Sequence, residues 1–170
     1  MAAVVDGGAR RVFEVLGRSF DQVGIVVPAI EAVLPAYEGM GPWSVYTYDR
    51  AFVPDLRAGD GASDFAMRLA LNPDHPQLEL IEPLDERSPY AIWMAAAGPG
   101  IHHLGYLVDD IEATTAAMNA AGFATLLSGS GYGIDGDGGF CYYDTVDAVG
   151  HVTEAIERPA QRREPDAILP

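Results

Sequence analysis

A chain of 170 residues with 49% hydrophobic and 21% charged residues can bury one sizeable core, and its composition excludes general disorder. Its 25 acidic residues outnumber 10 basic ones, all arginine, and the formal charge of −15 repels nucleic acid and anionic membrane surfaces. A single cysteine, Cys141, excludes an internal disulfide and a thiolate metal cluster. No apolar run reaches the roughly 18 residues of a membrane span. The start of the chain has no apolar stretch of signal-peptide length, so a cytoplasmic protein is expected.

In chain order, residues 1–19 form an extension in which Arg11 to Leu16 reads as a short helix closed by Gly17. Phe20 to Val27 is a β-branched run ended by Pro28, hence a strand, and Ala29 to Tyr37 has helical apolar spacing. Strands follow at Trp43 to Tyr48, Phe65 to Leu71 and Gln77 to Ile81, with the Pro, Gly and Asp-rich residues 49–64 as a mobile loop. A linker at 84–99 carries a helix over Tyr90 to Ala97. The order then repeats: strand Ile101 to Val108, helix Ile111 to Ala121, strand Phe123 to Ser128, a glycine-rich loop, and strands Phe140 to Asp144 and His151 to Ile156. The fold class is therefore α+β, with tandem βαβββ modules at 20–83 and 100–158. Residues 159–170, with charges mixed between prolines, read as a loosely held tail.

The repetition extends to individual residues. The segment Gln22-Val23-Gly24-Ile25-Val26-Val27-Pro28-Ala29-Ile30-Glu31-Ala32 aligns without a gap on His103-Leu104-Gly105-Tyr106-Leu107-Val108-Asp109-Asp110-Ile111-Glu112-Ala113, and Glu79-Leu80-Ile81-Glu82 matches Glu154-Ala155-Ile156-Glu157. Internal duplication of this kind dictates fold. Alternate side chains of a strand share a face, so Gln22, Glu79, His103 and Glu154 occupy repeat-equivalent positions that can converge when the halves pack together. Two carboxylates, an imidazole and an amide on an interior face are costly unless a cation pairs them. An all nitrogen and oxygen donor set suits one divalent zinc, nickel, cobalt, manganese or iron ion per site. Trp43, Tyr46, Tyr48, Phe52, Phe65, Trp93, Phe140, Tyr142 and Tyr143 are the candidate substrate-binding aromatics around that site. The Gly129 to Gly133 and Asp135 to Gly139 stretch lacks the lysine and helix of a phosphate-binding loop and reads as a lid or turn.

Phe20 to Val27, Gly39-Met40-Gly41-Pro42-Trp43, Leu78 to Pro83 and Gly100 to Asp110 resemble the strand and turn patterns of the vicinal oxygen chelate superfamily (glyoxalase, bleomycin resistance and dioxygenase proteins). The Gly-Pro-Trp turn and the His-His strand are most similar to its methylmalonyl-CoA epimerase-like and glyoxalase-like branch. The resemblance implies paired modules in a curved mixed sheet around a metal, ligands at Gln22, Glu79, His103 and Glu154, and a homodimer. This Gln, Glu, His, Glu set is like that of zinc-type glyoxalase I. An epimerase of the family would have His at position 22 and Gln at position 79, and would add a glutamate before the first acidic ligand. Between Glu38 and Glu79 this chain has no glutamate, and Asp49, Asp55, Asp60 and Asp64 are available there without a matching motif.

The implied activity is that of a metal-dependent isomerase or lyase acting next to a carbonyl of a bulky organic acid, a polyketide-like compound or an acyl thioester, through a metal-stabilised enolate. Glu154 or Glu79 is the expected proton-transfer residue, and His103 needs a partner for its second ring nitrogen that the sequence does not name. One rival is a metal-free drug-binding resistance protein, which the acidity would suit for a cationic ligand. The other is an extradiol-type dioxygenase, which needs two histidines, whereas strand parity turns His102 away from His103.

Overall fold

The structure is a computed structural model describing residues 6–59 and 61–170. Residues 1–5 of the extension, and Asp60, lie outside the described residues. The elements are α1 (Asp6–Leu16), β1 (Gln22–Val26), α2 (Ile30–Val33) running into a 3-10 turn (Leu34–Tyr37), β2 (Trp43–Tyr48), β3 (Arg57–Ala58), β4 (Gly61–Ala62), β5 (Met67–Leu71), β6 (Gln77–Pro83), α3 (Pro89–Ala97), β7 (Gly100–Leu107), α4 (Ile111–Ala120), β8 (Thr125–Ser130), β9 (Gly139–Tyr143), α5 (Val146–Val149), β10 (Val152–Glu157) and β11 (Ala167–Leu169). Among the described residues no helix is long and apolar enough to cross a membrane.

All strands join one curved sheet in the order β11-β2-β5-β6-β1-β7-β10-β9-β8-β3-β4. Each half contributes a parallel pair, β1 with β6 and β7 with β10, with antiparallel partners outside it. The halves meet where β1 and β7 run antiparallel, with Gln22 opposite Gly105 and Gly24 opposite His103. That register is symmetric: each inward polar residue faces the glycine of the other copy. Residues from both modules of one chain therefore meet at the centre of the sheet.

Alternation along the strands makes two faces. Trp43, Val45, Ala70 and Leu80 pack under α2 through Ile30, and Tyr106, Cys141, Tyr143 and Ala155 pack under α1 and α4 through Val12 and Met118. The opposite face carries a larger cluster including Tyr46, Tyr48, Met67, Leu69, Leu71, Tyr90, Phe140 and Tyr142. Cys141 is accordingly a buried core residue.

The second glutamate of each repeated Glu-x-Ile-Glu acts on a helix. Glu82 Oε2 accepts from Ile30 N at 3.1 Å, and Glu157 Oε2 accepts from Ile111 N at 2.8 Å, so each carboxylate satisfies an orphan donor at the first turn of its own module's helix. Asp110 adds a cap on α4 through Ala113 N. Two segments differ from their sequence reading. Within residues 49–64, β3 pairs with β8 and extends the sheet. In the segment 159–170, β11 adds to the edge of β2, with Asp166 Oδ2 accepting from Thr47 N at 2.7 Å and Asp166 N donating to Val45 O at 2.8 Å. Prolines and charges suggested looseness there, but three residues between prolines suffice to cover an open strand edge.

Replacing Glu157 with Ala is expected to lower the unfolding free energy by about 1 kcal/mol, measured by urea denaturation. Glu82→Ala should cost more, because Glu82 also receives Arg68 Nη1 at 3.0 Å.

Candidate functional site

Gln22 on β1, Glu79 on β6, His103 on β7 and Glu154 on β10 come from four adjacent strands and are 7%, 6%, 0% and 4% exposed. Glu79, His103 and Glu154 present ligand atoms within 4.8 Å of one another and could hold a metal ion. His103 Nε2 lies 3.0 Å from Glu154 Oε2 and 3.4 Å from Glu79 Oε2. Gln22 lines the same cavity as the two glutamates. Its Nε2 donates to Gln77 Oε1 at 3.1 Å, and Gln77 Nε2 in turn donates to Asn72 O, which fixes the amide and leaves Gln22 Oε1 unpartnered. Gln22 Oε1, Glu79 Oε2, His103 Nε2 and Glu154 Oε2 are all buried without a hydrogen bond. Buried polar atoms are normally satisfied, and four lone-pair atoms lining one spot fit a cation.

The glycines of the repeat explain how the site closes. A Cβ on Gly24 would collide with the His103 ring, and one on Gly105 would lie 2.8 Å from Ile156 Cδ1 and 3.0 Å from Gln22 Cβ. Both glycines are thus site residues that sequence reasoning passed over. Their signal was present, because each stands two positions after its module's inward polar residue.

The expectation that His102 faces away from His103 does not hold. The register of β1 on β7 jumps from Gly24 opposite His103 to Ile25 opposite Ile101, leaving His102 as the extra residue of a bulge. A bulge breaks strict alternation. His102 Nδ1 sits 3.2 Å from His103 Nδ1, supplying the ring-nitrogen partner the sequence could not name. Its own ring packs among Tyr90, Trp93 and Tyr142. His102 stays outside the converging ligand group, which contains one histidine.

Of the expected aromatics, Tyr48, Phe140 and Tyr142 line the cavity and Tyr46 lines the vestibule beside it. Phe65 joins the cluster of the same face, with Phe52 and Trp93 packed against it. Trp43 and Tyr143 are corrections. Strand alternation puts both on the helix-covered face, Trp43 with Ile30 and Tyr143 under α4 with its hydroxyl 2.8 Å from Thr115 Oγ1. Tyr90, Tyr132 and Arg162 line the cavity without having been expected there. Tyr90 donates to Tyr142 Oη at 3.0 Å, and Tyr142 stands edge-on to His103 with centroids 4.8 Å apart. The deep cavity is about 30 Å³ and the vestibule about 440 Å³.

Burial alone would depress His103, but Glu154 and Glu79 outweigh it and lift the imidazole up to about 9. Burial raises Glu154 above the ordinary carboxylate range, with His103 pulling the other way. Burial, reinforced by His103, pushes His102 down to about 3 and keeps it neutral. An imidazole raised on folding stabilises the fold fully below its unfolded value of about 6.5, and that contribution is lost as pH rises through about 9. The raised Glu154 has the same sign. Chelator-treated protein should therefore lose stability between pH 6.5 and 9 in urea titrations, a slope that His103→Gln flattens. Gly24→Ala should displace the imidazole and abolish high-affinity uptake of zinc, read by equilibrium dialysis.

Residues 21–142 match the family model described as Glyoxalase/Bleomycin resistance protein/Dioxygenase superfamily. No functionally curated protein matches. Among solved structures, a hypothetical protein from Bacillus halodurans is similar at 26% identity, covering 86% of this chain and 98% of its own, with a TM-score of 0.59. Methylmalonyl-CoA epimerase from Mycobacterium tuberculosis is similar at 24% identity over 85% of this chain and 90% of its own, TM-score 0.59. A Streptomyces coelicolor methylmalonyl-CoA epimerase complexed with 2-nitronate-propionyl-CoA is 20% identical over 85% and 97%, TM-score 0.59. With its duplicated βαβββ modules, curved sheet and central buried Glu-His-Glu group, the chain belongs to the glyoxalase, bleomycin resistance and dioxygenase superfamily.

Proposed function

We propose that the protein is a metal-dependent isomerase or lyase that moves a proton at a carbon next to a carbonyl of an organic acid or acyl thioester. The observation that carries this reading is the set of four buried, unpartnered ligand atoms on Gln22, Glu79, His103 and Glu154. A divalent ion held by those residues would supply Lewis-acid polarisation of a substrate carbonyl. The borderline nitrogen and oxygen donors suit zinc, nickel, cobalt, manganese or iron.

The protein's own groups do the rest. Glu79 and Glu154 come from equivalent strands of the two halves and flank His103. A carbon seated between them presents its two faces to two carboxylates. One carboxylate, swung off the ion, would take the proton at its Oε2 and return it to another atom, or the opposite carboxylate, protonated from solvent, would deliver a proton to the other face. Burial raises Glu154 above the ordinary carboxylate range, a direction that suits a proton acceptor. Gln22, a neutral donor, adds no charge to the pair. His103 is oriented by His102 through their Nδ1 atoms.

The convergent donor set favours this reading over metal-free drug sequestration, which has no use for buried ligand atoms. The space beside the glutamates is about 30 Å³. Only a small oxygenated head reaches the glutamates, and the rest of the substrate lies in the vestibule. A methylmalonyl-CoA epimerase structure with methylmalonyl-CoA bound shares this fold, which supports trying acyl thioesters among the first substrates.

The test is metal content by mass spectrometry on protein purified without added metal, together with solvent-deuterium uptake into candidate acids and thioesters. About one divalent ion per chain is expected, lost in His103→Ala and Glu154→Ala. Glu154→Gln should slow deuterium exchange by about 10²-fold or more. Protein that refuses zinc, nickel, manganese and iron alike sinks the proposal.

A further inference from the structure

The mouth of the cavity is built by a segment outside the repeat. After β10 the chain crosses the open face before pairing as β11, and it is tied down on the way. Tyr132 Oη donates to Glu157 O at 2.9 Å, Ala160 N donates to Asp137 Oδ2 at 2.6 Å, Ile134 N donates to Gln161 O at 3.0 Å, and Arg162 bridges Gly133. The glycine-rich loop thus serves as an anchor for this strap. The strap carries Arg158, Arg162 and Arg163, three of the ten basic residues of a chain with a net charge of −15.

Arg162 is half-buried and lines both the deep cavity and the vestibule, where Arg158 and Gln77 also lie. Its guanidinium sits between two rings, 5.4 Å from the Tyr46 centroid and 5.5 Å from the Tyr132 centroid. Such stacking fixes a guanidinium by its faces and leaves its in-plane donors for another group. Among the described residues the ion pairs of arginine involve Arg10, Arg57, Arg68 and Arg87, and none of the three strap arginines pairs with a carboxylate. Arg163 stacks on Phe52 at 4.9 Å and lines neither space.

We infer that Arg162 is the anion-recognition residue of this site: its substrate carries, apart from the head that enters the cavity, a carboxylate or phosphate that docks on the Arg162 guanidinium at the boundary with the vestibule. This deepens the proposed function and rests on it for the location of the reacting end. The charge balance supports it. A divalent ion would neutralise Glu79 and Glu154, so the fixed cation left in the cavity wall is Arg162, a local positive spot in an otherwise repulsive field. A planar guanidinium with free donors matches an oxyanion, and that match is strong where water is partly excluded.

The experiment follows the Arg162 Nε–Hε signal by NMR in the full chain, metal-free and zinc-loaded, titrated with glutarate, inorganic phosphate and neutral glutaramide. Saturable shifts with glutarate or phosphate and none with glutaramide are expected, and the tighter of the two anions tells a carboxylate from a phosphate. Arg162→Gln should weaken anion binding about tenfold or more, followed through the backbone amides of Gly133 and Ile134. Arg163→Gln should leave it unchanged, and Arg162→Lys, which keeps the charge but loses the planar donors held between Tyr46 and Tyr132, should retain only part of it. Thermal melts of each variant establish that the strap is still folded. Anion binding that is equally tight in folded Arg162→Gln, or no saturable binding of either anion, overturns the inference. Metal content is measured on the same samples: Arg162-dependent anion binding in a protein that takes up no ion upholds this inference while removing the proposed catalysis.

Discussion

The antiparallel meeting of β1 and β7 is the constraint on which the site depends. Across it, the His103 ring lies over Gly24 and the Gln22 side chain lies over Gly105. Any side chain at either glycine would separate the two strands or swing the polar residue out of the centre. With that seam closed, the parallel partners β6 and β10 follow on either side, and neighbouring strands are about 4.8 Å apart. On these four adjacent strands, Glu79, His103 and Glu154 then bring their ligand atoms within 4.8 Å of one another, and Gln22 lines the same cavity. The seam therefore converts a tandem duplication into a single centre.

Electrostatics explains why such a centre is unstable as a purely organic assembly. Two buried carboxylates need two positive charges, and a protonated His103 provides one. Lifting the imidazole up to about 9 is the protein's internal compensation, and a raised Glu154 is its remainder. A divalent ion would satisfy both carboxylates and leave His103 a neutral ligand. Proton and metal ion compete for the same nitrogen, and His102, neutral beside it, can hold the ring in one orientation for either occupant.

Much of this was legible because duplication reads as a pattern in the chain. Gln22 and His103 stand at the same place in two copies of one segment, as do Glu79 and Glu154, and alternation on strands suffices to turn all four inward. Glu82 and Glu157 were visible as repeated but not as helix caps, since that role depends on where each helix begins relative to a distant strand. Trp43 and Tyr143 were placed at the site by residue type, although the parity that located the ligands also sends these two to the other face. His102 is the converse case. Parity was applied to it and failed, because a one-residue bulge arises from a register mismatch between two strands and leaves no mark in either. Arg162 was invisible for another reason: a tail of prolines and charges discloses nothing about its path until a strand edge and a loop are there to receive it.

The division between what repeats and what does not is also a division of labour. The duplicated strands generate a nearly symmetric set of donors, and a symmetric centre cannot by itself distinguish one end of a substrate from the other. Asymmetry enters through Gln22 standing where the second copy has His103, and through the strap tied down on the glycine-rich loop. Tyr132 and Arg162 line the deep cavity, and Arg162 also lines the vestibule with Arg158, Gln77 and Asn72. On the proposed function, a substrate would enter in one orientation, with its polarisable oxygens toward the glutamates and its remaining charge toward the strap. The copied part of the chain would then set the chemistry, and the added part the selectivity.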